Sequence, residues 1–430
     1  MLTRSKLSIY KSLVLFFVVF SLSCNKTDEG HSVIDPPIVT RAVNLSHFNH
    51  LYREINFKGK QAGIISIYSN YPNYEAVPSI EEAGITAVDD VARAIIVLSE
   101  YIKLYGSDAD SLDKIKRYTE FILGMQNDNG YFNNFVYADL TINTSYTTSV
   151  ARLDWWSLRA LCGLETAYPL LKSNSEITAR IELSIAKLLS NIKRDLPISN
   201  TTTEIINGIE VPTWLPARFA SDQAALLIIG LLQHKERTGD ATDKPLIDAM
   251  ANGIMLLQKG DADNYPYGAF MSYNDLWHAY GNTQSYALLK AGNAFNNATY
   301  INSALKEINS FYPKLSNSGY AEAFTIRAVG SNFAEVSRKK YPQIAYGISP
   351  MVLATVEAYN YTKNASYLQQ SKNIASWLSG ANAAGTAIYN PANGICFDGI
   401  VSPSQVNKNS GAESTIESLL ALLAIENAKK

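Results

Sequence analysis

Two kinds of hydrophobic pattern alternate along the chain. One is amphipathic: Ser111–Leu123, Ser175–Leu189 and Ala365–Leu378 carry apolar residues at i, i+3, i+4 and i+7, with polar residues opposite. The other has almost no charged face. Thr86–Tyr101, Leu153–Glu165, Ala220–Gly230, Trp277–Leu289, Gln343–Ala354 and Ser410–Ala421 each open on polar or aromatic residues and continue in Ala, Gly, Ser and Leu. A helix that is apolar or small nearly all round is buried; a one-sided helix lies at a surface.

The second kind recurs. With Asp89, Trp155, Asp222, Asn282, Ala345 and Glu413 as markers, the steps are all about 60–70 residues. Six buried helices, each paired with a half-exposed one, predict an all-α (α/α)6 toroid: six helical hairpins forming an inner and an outer ring. If every inner helix starts at the same mouth of the barrel, the six polar openings wall one shared bowl.

The first residues follow a different plan. Arg4 and Lys6 precede the apolar run Leu13–Phe20, then Ser21-Leu-Ser-Cys24. A basic start, a short apolar centre and small residues before a cut make a signal peptide, and the run is too short for a good membrane span. The expected division is a signal peptide over 1–23, a flexible tether over 24–40 containing Asp35-Pro-Pro37, and a toroid domain over 41–430. Cys24 resembles the lipidated cysteine of bacterial lipoproteins, although Ser21 stands where such sites usually have Leu. Lys26-Thr-Asp-Glu29 is similar to the acidic export tags of Bacteroidetes-type lipoproteins. The resemblance implies an outer-membrane lipoprotein, facing the cell surface or the periplasm, held through lipid on Cys24.

Composition removes several function classes. The formal net charge of −2 gives no electrostatic footprint for nucleic acid. Besides Cys24 only Cys162 and Cys396 remain, so this is no disulfide scaffold. There is no Gly-rich phosphate loop, His-Glu-x-x-His, Cys-x-x-Cys or Gly-x-Ser-x-Gly, and Asp261-x-Asp263 lacks the rest of a calcium loop. No metal and no cofactor are expected.

What remains is carboxylates, and glycoside hydrolysis needs two of them flanking the scissile bond. Those at the predicted bowl are Asp89, Asp90, Asp154, Asp222, Asp275, Asp398, Glu413 and Glu417. Each has a structural alternative as a helix cap or the partner of Arg93, Arg159 or Arg218. Asp89 and Asp90 point about 100° apart, so one is expected to cap and the other to reach the bowl. Glu413 and Glu417, at i and i+4, share a face of the last inner helix. The expected catalytic pair is Asp90 (or Asp89) with Glu413, because the first and last inner helices become neighbours when the ring closes. Trp155, Trp156, Trp277, Tyr280 and Tyr346 are expected as stacking walls for a sugar. Asp154, Asp222, Gln223, His278, Asn282, Gln284 and Glu417 are expected as further polar groups around it.

Val88-Asp-Asp-Val-Ala-Arg-Ala94, Gln126-Asn-Asp-Asn-Gly-Tyr-Phe-Asn-Asn-Phe135, Trp155-Trp-Ser-Leu-Arg-Ala-Leu161 and Gly411-Ala-Glu-Ser-Thr415 resemble the six-hairpin glycosidase class of toroids. The resemblance implies carbohydrate processing without naming a sugar. The leading expectation is a glycoside hydrolase acting on an oligo- or polysaccharide. A non-catalytic glycan-binding lipoprotein and a uronate lyase are the alternatives, the latter suggested by His278, Tyr280 and Asn282. Terpene cyclases are disfavoured, since Asp89-Asp90-x-x-Arg93 lacks a third carboxylate.

Overall fold

The helices α2 (Val88–Tyr105), α4 (Trp155–Leu170), α6 (Ser221–Thr238), α8 (Gln284–Phe295), α11 (Ser349–Thr362) and α13 (Ala412–Asn427) form a closed inner ring. Each packs on the next, and α13 packs on α2. Outside them lie α3 (Ala109–Met125), α5 (Ser175–Asp195), α7 (Lys244–Leu256), the bent pair α9 (Ala298–Lys306) and α10 (Tyr312–Asn317), and α12 (Ala365–Ala375). The short α1 (Ser46–Leu51) packs on α13 and takes the sixth outer place. The fold is an (α/α)6 toroid. It is seen in a computed structural model that describes residues 42–77 and 83–430, all within the compact unit 41–430. The expected signal peptide, the tether and Cys24 lie outside the described residues.

Small residues let the inner helices approach. A Cβ on Gly163 of α4 would stand 2.9 Å from the Cβ of Ala92 on α2, closer than side-chain carbons pack. Outer helices are started by their own side chains: Asp108, Asn174, Asn297 and Asn364 accept from the first-turn N–H groups of α3, α5, α9 and α12.

Two of the expected buried helices begin later than the hydrophobic pattern suggests. Leu276–His278 is a strand paired with Ala323–Val329, which pairs in turn with Asn332–Lys339, and α8 starts only at Gln284. Ala345–Gly347 forms a separate 3-10 turn before α11. Gly281, at φ +63°, allows the reversal between the strand and α8. A Cβ there would meet Trp155 at 2.4 Å and the Tyr346 hydroxyl at 3.0 Å, so the turn lies between those two rings.

Cys162 and Cys396 are both buried free thiols. Burial pushes each up to about 12, which keeps them protonated and unreactive.

Candidate active site

All six inner helices run in the same direction, so their N-termini share one mouth. In it opens a cavity of about 450 Å³ between the starts of α2 and α13 and the loops before α11 and α13. At its base is Arg93, with 1% of its side chain exposed. Four carboxylates surround it: Nη2 lies 2.7 Å from Asp90 and 3.5 Å from Glu413, Nη1 lies 2.6 Å from Glu417, and Nε lies 3.5 Å from Asp89. Arg159 lies 3.2 Å from Asp89 and donates to the Tyr346 hydroxyl. The Tyr346 ring faces both guanidiniums, at 4.8 Å from Arg93 and 5.5 Å from Arg159.

A buried guanidinium keeps its charge under all physiological conditions, and these carboxylates push its pKa further up against the opposing effect of burial. Two guanidiniums, Arg93 and Arg159, face four carboxyl groups, so the cluster is left with an excess of acid. Burial raises Asp90 to about 6, and Asp89 and Glu417 add to the rise while Arg93 opposes it. Burial raises Glu413 to about 7, against the pull of Arg93 and with the push of Asp90, Glu417 and Asp89. The four differ in access. Glu413 keeps 45% of its side chain open, Asp89 22%, Asp90 9% and Glu417 3%. Of the four, Glu413 is the most open to the cavity.

The expected division of labour between Asp89 and Asp90 is not what the fold uses. Neither caps α2: Asn134 does, its Oδ1 accepting from Asp89 N and its carbonyl from Val88 N. Because Arg93 lies at i+4 from Asp89 and i+3 from Asp90, it draws both aspartates to one side, and both line the cavity. Glu417 shares the expected face with Glu413 but lies deeper. It is bonded to Arg93 and to Ser349 Oγ and does not line the cavity.

The remaining expected residues divide between the mouth and the core. Trp155, Tyr280 and Tyr346 form a row with ring centres 6.4 Å apart at each step, and Tyr280 is 42% exposed. Trp156 and Trp277 are not walls. Trp156 is buried and donates from Nε1 to the Phe132 carbonyl. Trp277 is buried, stacked on Phe324 and set edge-on to Phe311, because the strand at 276–278 turns it into the core. Asp154 caps α4, pairs with Arg152 at 2.8 Å and accepts from Gln223. Asp275 accepts from Asn207 and is not at the cavity. Gln284 is buried and donates to Ser221 Oγ. Asn282 is buried, and neither of its amide atoms has a hydrogen-bond partner among the described residues.

Asp222 and His278 form a buried pair, Oδ2 to Nε2 at 3.0 Å. The other ring nitrogen faces the Tyr280 carbonyl at 2.9 Å. A carbonyl only accepts, so Nδ1 carries a hydrogen, and the contact with Asp222 holds one more proton. Burial also raises Asp222. With both nitrogens bonded, His278 presents no free base to the bowl. Its ring instead lies parallel beneath Tyr280, with centres 3.8 Å apart.

The cavity holds one aromatic side chain that the sequence did not point to, and one expected carboxylate in place. Tyr68, 46% exposed, precedes the first inner helix and feels the charges of Asp90, Glu413 and Asp398. No helical period points to it. Asp398, named only among the bowl carboxylates, lines the same cavity and accepts from Gly411 N and Ser414 Oγ.

No protein-family model matches the sequence, and no curated protein matches it. Solved structures do match in shape. A sugar epimerase from a ruminal bacterium superposes with a TM-score of 0.63 at 11% identity, over 88% of this chain and 95% of its own. The cellobiose 2-epimerase from Bacillus thermoamylovorans gives 0.64 at 12% identity, over 90% and 96%. A family 76 glycoside hydrolase from a bovine Bacteroides thetaiotaomicron strain gives 0.54 at 12%, over 86% and 74%. At these identities the likeness establishes the fold. It is the (α/α)6 toroid that these three structures share.

Proposed function

We propose that the protein is an extracytoplasmic, lipid-anchored glycoside hydrolase that cuts an uncharged oligo- or polysaccharide in the acidic cavity. One observation carries this reading. Glu413 is open to the cavity and hangs from the same guanidinium nitrogen as Asp90, and partial burial together with the crowding of carboxyls around it raises its pKa. The toroid's occurrence in glycoside hydrolases adds support.

The chemistry follows from the two carboxyls. Glu413 in its protonated form donates to the glycosidic oxygen as the bond to the leaving sugar breaks. Asp90, raised to about 6, is ionised at pH 7 and supplies negative charge toward the anomeric carbon. Their bonded oxygens are no further apart than the sum of 2.7 Å and 3.5 Å. That upper bound falls short of the roughly 6.5–9.5 Å that leaves room for an inverting water, which favours a retaining pair. Asp90 is then the nucleophile, and Glu413, having given up its proton, takes one from the water that releases the sugar. Tyr68 supplies an open ring face for the sugar in the cavity, and Tyr280 a further one at the mouth.

The alternatives fit less well. A uronate lyase needs a free cation for the sugar carboxylate, and the one cation lining the cavity among the described residues, Arg93, already faces four carboxylates. An epimerase using an imidazole base finds His278 with both nitrogens engaged. The lipid anchor rests on the Ser21-Leu-Ser-Cys24 pattern. It is checked by whether Cys24→Ser releases the protein from the membrane fraction.

The deciding experiment is a screen of uncharged oligosaccharides with the chain lacking residues 1–24, beside Glu413→Gln and Asp90→Asn. Release of reducing sugar with retained anomeric configuration, lost in both variants, is expected. Binding without release, unchanged in the variants, would leave a glycan-binding protein in its place.

A further inference from the structure

Asp398 lines the cavity but forms no ion pair with Arg93 or Arg159 among the described residues. It stands at the start of the hairpin Gly399–Ser402 and Gln405–Asn407, and that junction is fixed. Its own N–H donates to the Asn409 carbonyl, and Gln343 and Ile400 exchange both of their backbone bonds. Gly399 lies at φ +150°, and a Cβ there would stand 2.3 Å from the Gln343 carbonyl oxygen, so only glycine lets the two segments approach this closely.

The two carboxyl oxygens of Asp398 are used differently. Oδ1 accepts from Gly411 N at 3.0 Å and from Ser414 Oγ at 2.8 Å. These bonds tie it to the first turn of α13, one residue from Glu413, and amount to a cap of that helix. Capping needs one oxygen and leaves the second unexplained. Oδ2 has no hydrogen-bond or ion-pair partner among the described residues, and it stays accessible. A carboxyl held still by one oxygen and open at the other is an acceptor set in place before any ligand arrives.

The cavity also holds a donor of the same kind. Asn134 is 5% exposed and gives its Oδ1 to Asp89 N, which fixes the amide with Nδ2 turned away from the helix. That nitrogen has no partner among the described residues and stays accessible, and Asn134 lines the cavity. An unspent acceptor and an unspent donor suit hydroxyl groups, which give one hydrogen and accept another. Tyr68 feels the charges of Asp90, Glu413 and Asp398 alike, which sets its open ring among the three.

We propose that Asp398 is a substrate-binding residue whose Oδ2 accepts a hydrogen bond from one sugar hydroxyl and holds the ring on Tyr68 while Asp90 and Glu413 act on the glycosidic bond. This role rests on the glycoside hydrolase reading of the cavity and adds a specificity to it: a sugar that lacks that hydroxyl is bound poorly.

Asp398→Asn is the informative variant. Its amide oxygen still accepts from Gly411 N and Ser414 Oγ, so the cap is kept, while the open atom changes from acceptor to donor. Binding to the chain lacking residues 1–24 is read by ligand-observed NMR titration with methyl β-D-glucopyranoside, methyl β-D-galactopyranoside and methyl α-D-mannopyranoside. The 2-, 3-, 4- and 6-deoxy forms of the tightest binder follow. Asp398→Asn is expected to weaken binding by about tenfold or more, with a melting temperature within about 2 °C of the wild type. One deoxy form is expected to lose a similar factor in the wild type and nothing further in the variant. Undiminished binding in the variant, or deoxy forms that lose equally in both proteins, overturns the contact and leaves the hydrolase reading standing. No binding of any of the glycosides also overturns it, and the release of reducing sugar in the oligosaccharide screen then shows whether the hydrolase reading falls as well.

Discussion

Arg93 on the first inner helix is bonded at 2.6 Å to Glu417 on the last, and both side chains are buried. This bond closes the ring at the point where the two ends of the chain meet. Removing the cation strands several anions at once. Arg93→Met is expected to lower stability by about 3–5 kcal/mol, read by urea unfolding. A loss below about 1 kcal/mol would mean that water already screens the cluster.

The same cluster sets a pH dependence. Glu413 and Asp90 are raised in the folded protein, to about 7 and about 6, so the folded state holds protons that the unfolded chain has released. Their contribution is complete below the ordinary carboxylate range and is lost as pH rises from about 4 to about 7. The melting temperature of the wild type is expected to fall relative to Glu413→Gln across that window. Parallel curves for the two proteins would contradict the raised carboxyl.

The aromatic row separates from the buried tryptophans by what each substitution costs. Tyr280→Ala removes an exposed stacking face and is expected to weaken glycan binding by about three- to tenfold with little effect on unfolding. Trp277→Ala empties a core position and is expected to cost about 3–5 kcal/mol of stability, while binding per folded molecule is kept. Isothermal titration and urea denaturation on both variants distinguish the roles.

Both thiols of the toroid are buried and held protonated. The native chain lacking residues 1–24 is expected to leave a thiol reagent such as Ellman's reagent unreacted until denaturant is added, when both cysteines titrate. Prompt reaction without denaturant would show that one of the sites opens in the native state.

The ring of helices was legible because its signal is periodic: inner and outer helices differ in polarity, and the difference repeats. Asp89, Asp90 and Glu413 came forward through the same repeat. What the repeat could not carry lies between helices. The strand at 276–278 reads as an apolar stretch continuous with α8, so Trp277 was placed at the mouth when its alternating geometry turns it inward. Trp156 is adjacent in sequence to the mouth residue Trp155 but points the other way around α4. Tyr68 belongs to no helix. Arg93 was weighed only as a possible salt-bridge partner, since a sequence does not show that one guanidinium collects carboxylates from both ends of the chain.

Arg93 and Glu417 are separated by 324 positions in sequence. During synthesis the Arg93 helix emerges early and must wait for nearly the whole remaining polypeptide before its partners arrive. A message truncated before the last helix yields a protein with neither Glu413 nor a closed ring, and hence no half-active product. Contacts of such sequence range also slow folding. The constellation is therefore among the last things the molecule acquires, and a nascent or clipped copy lacks it.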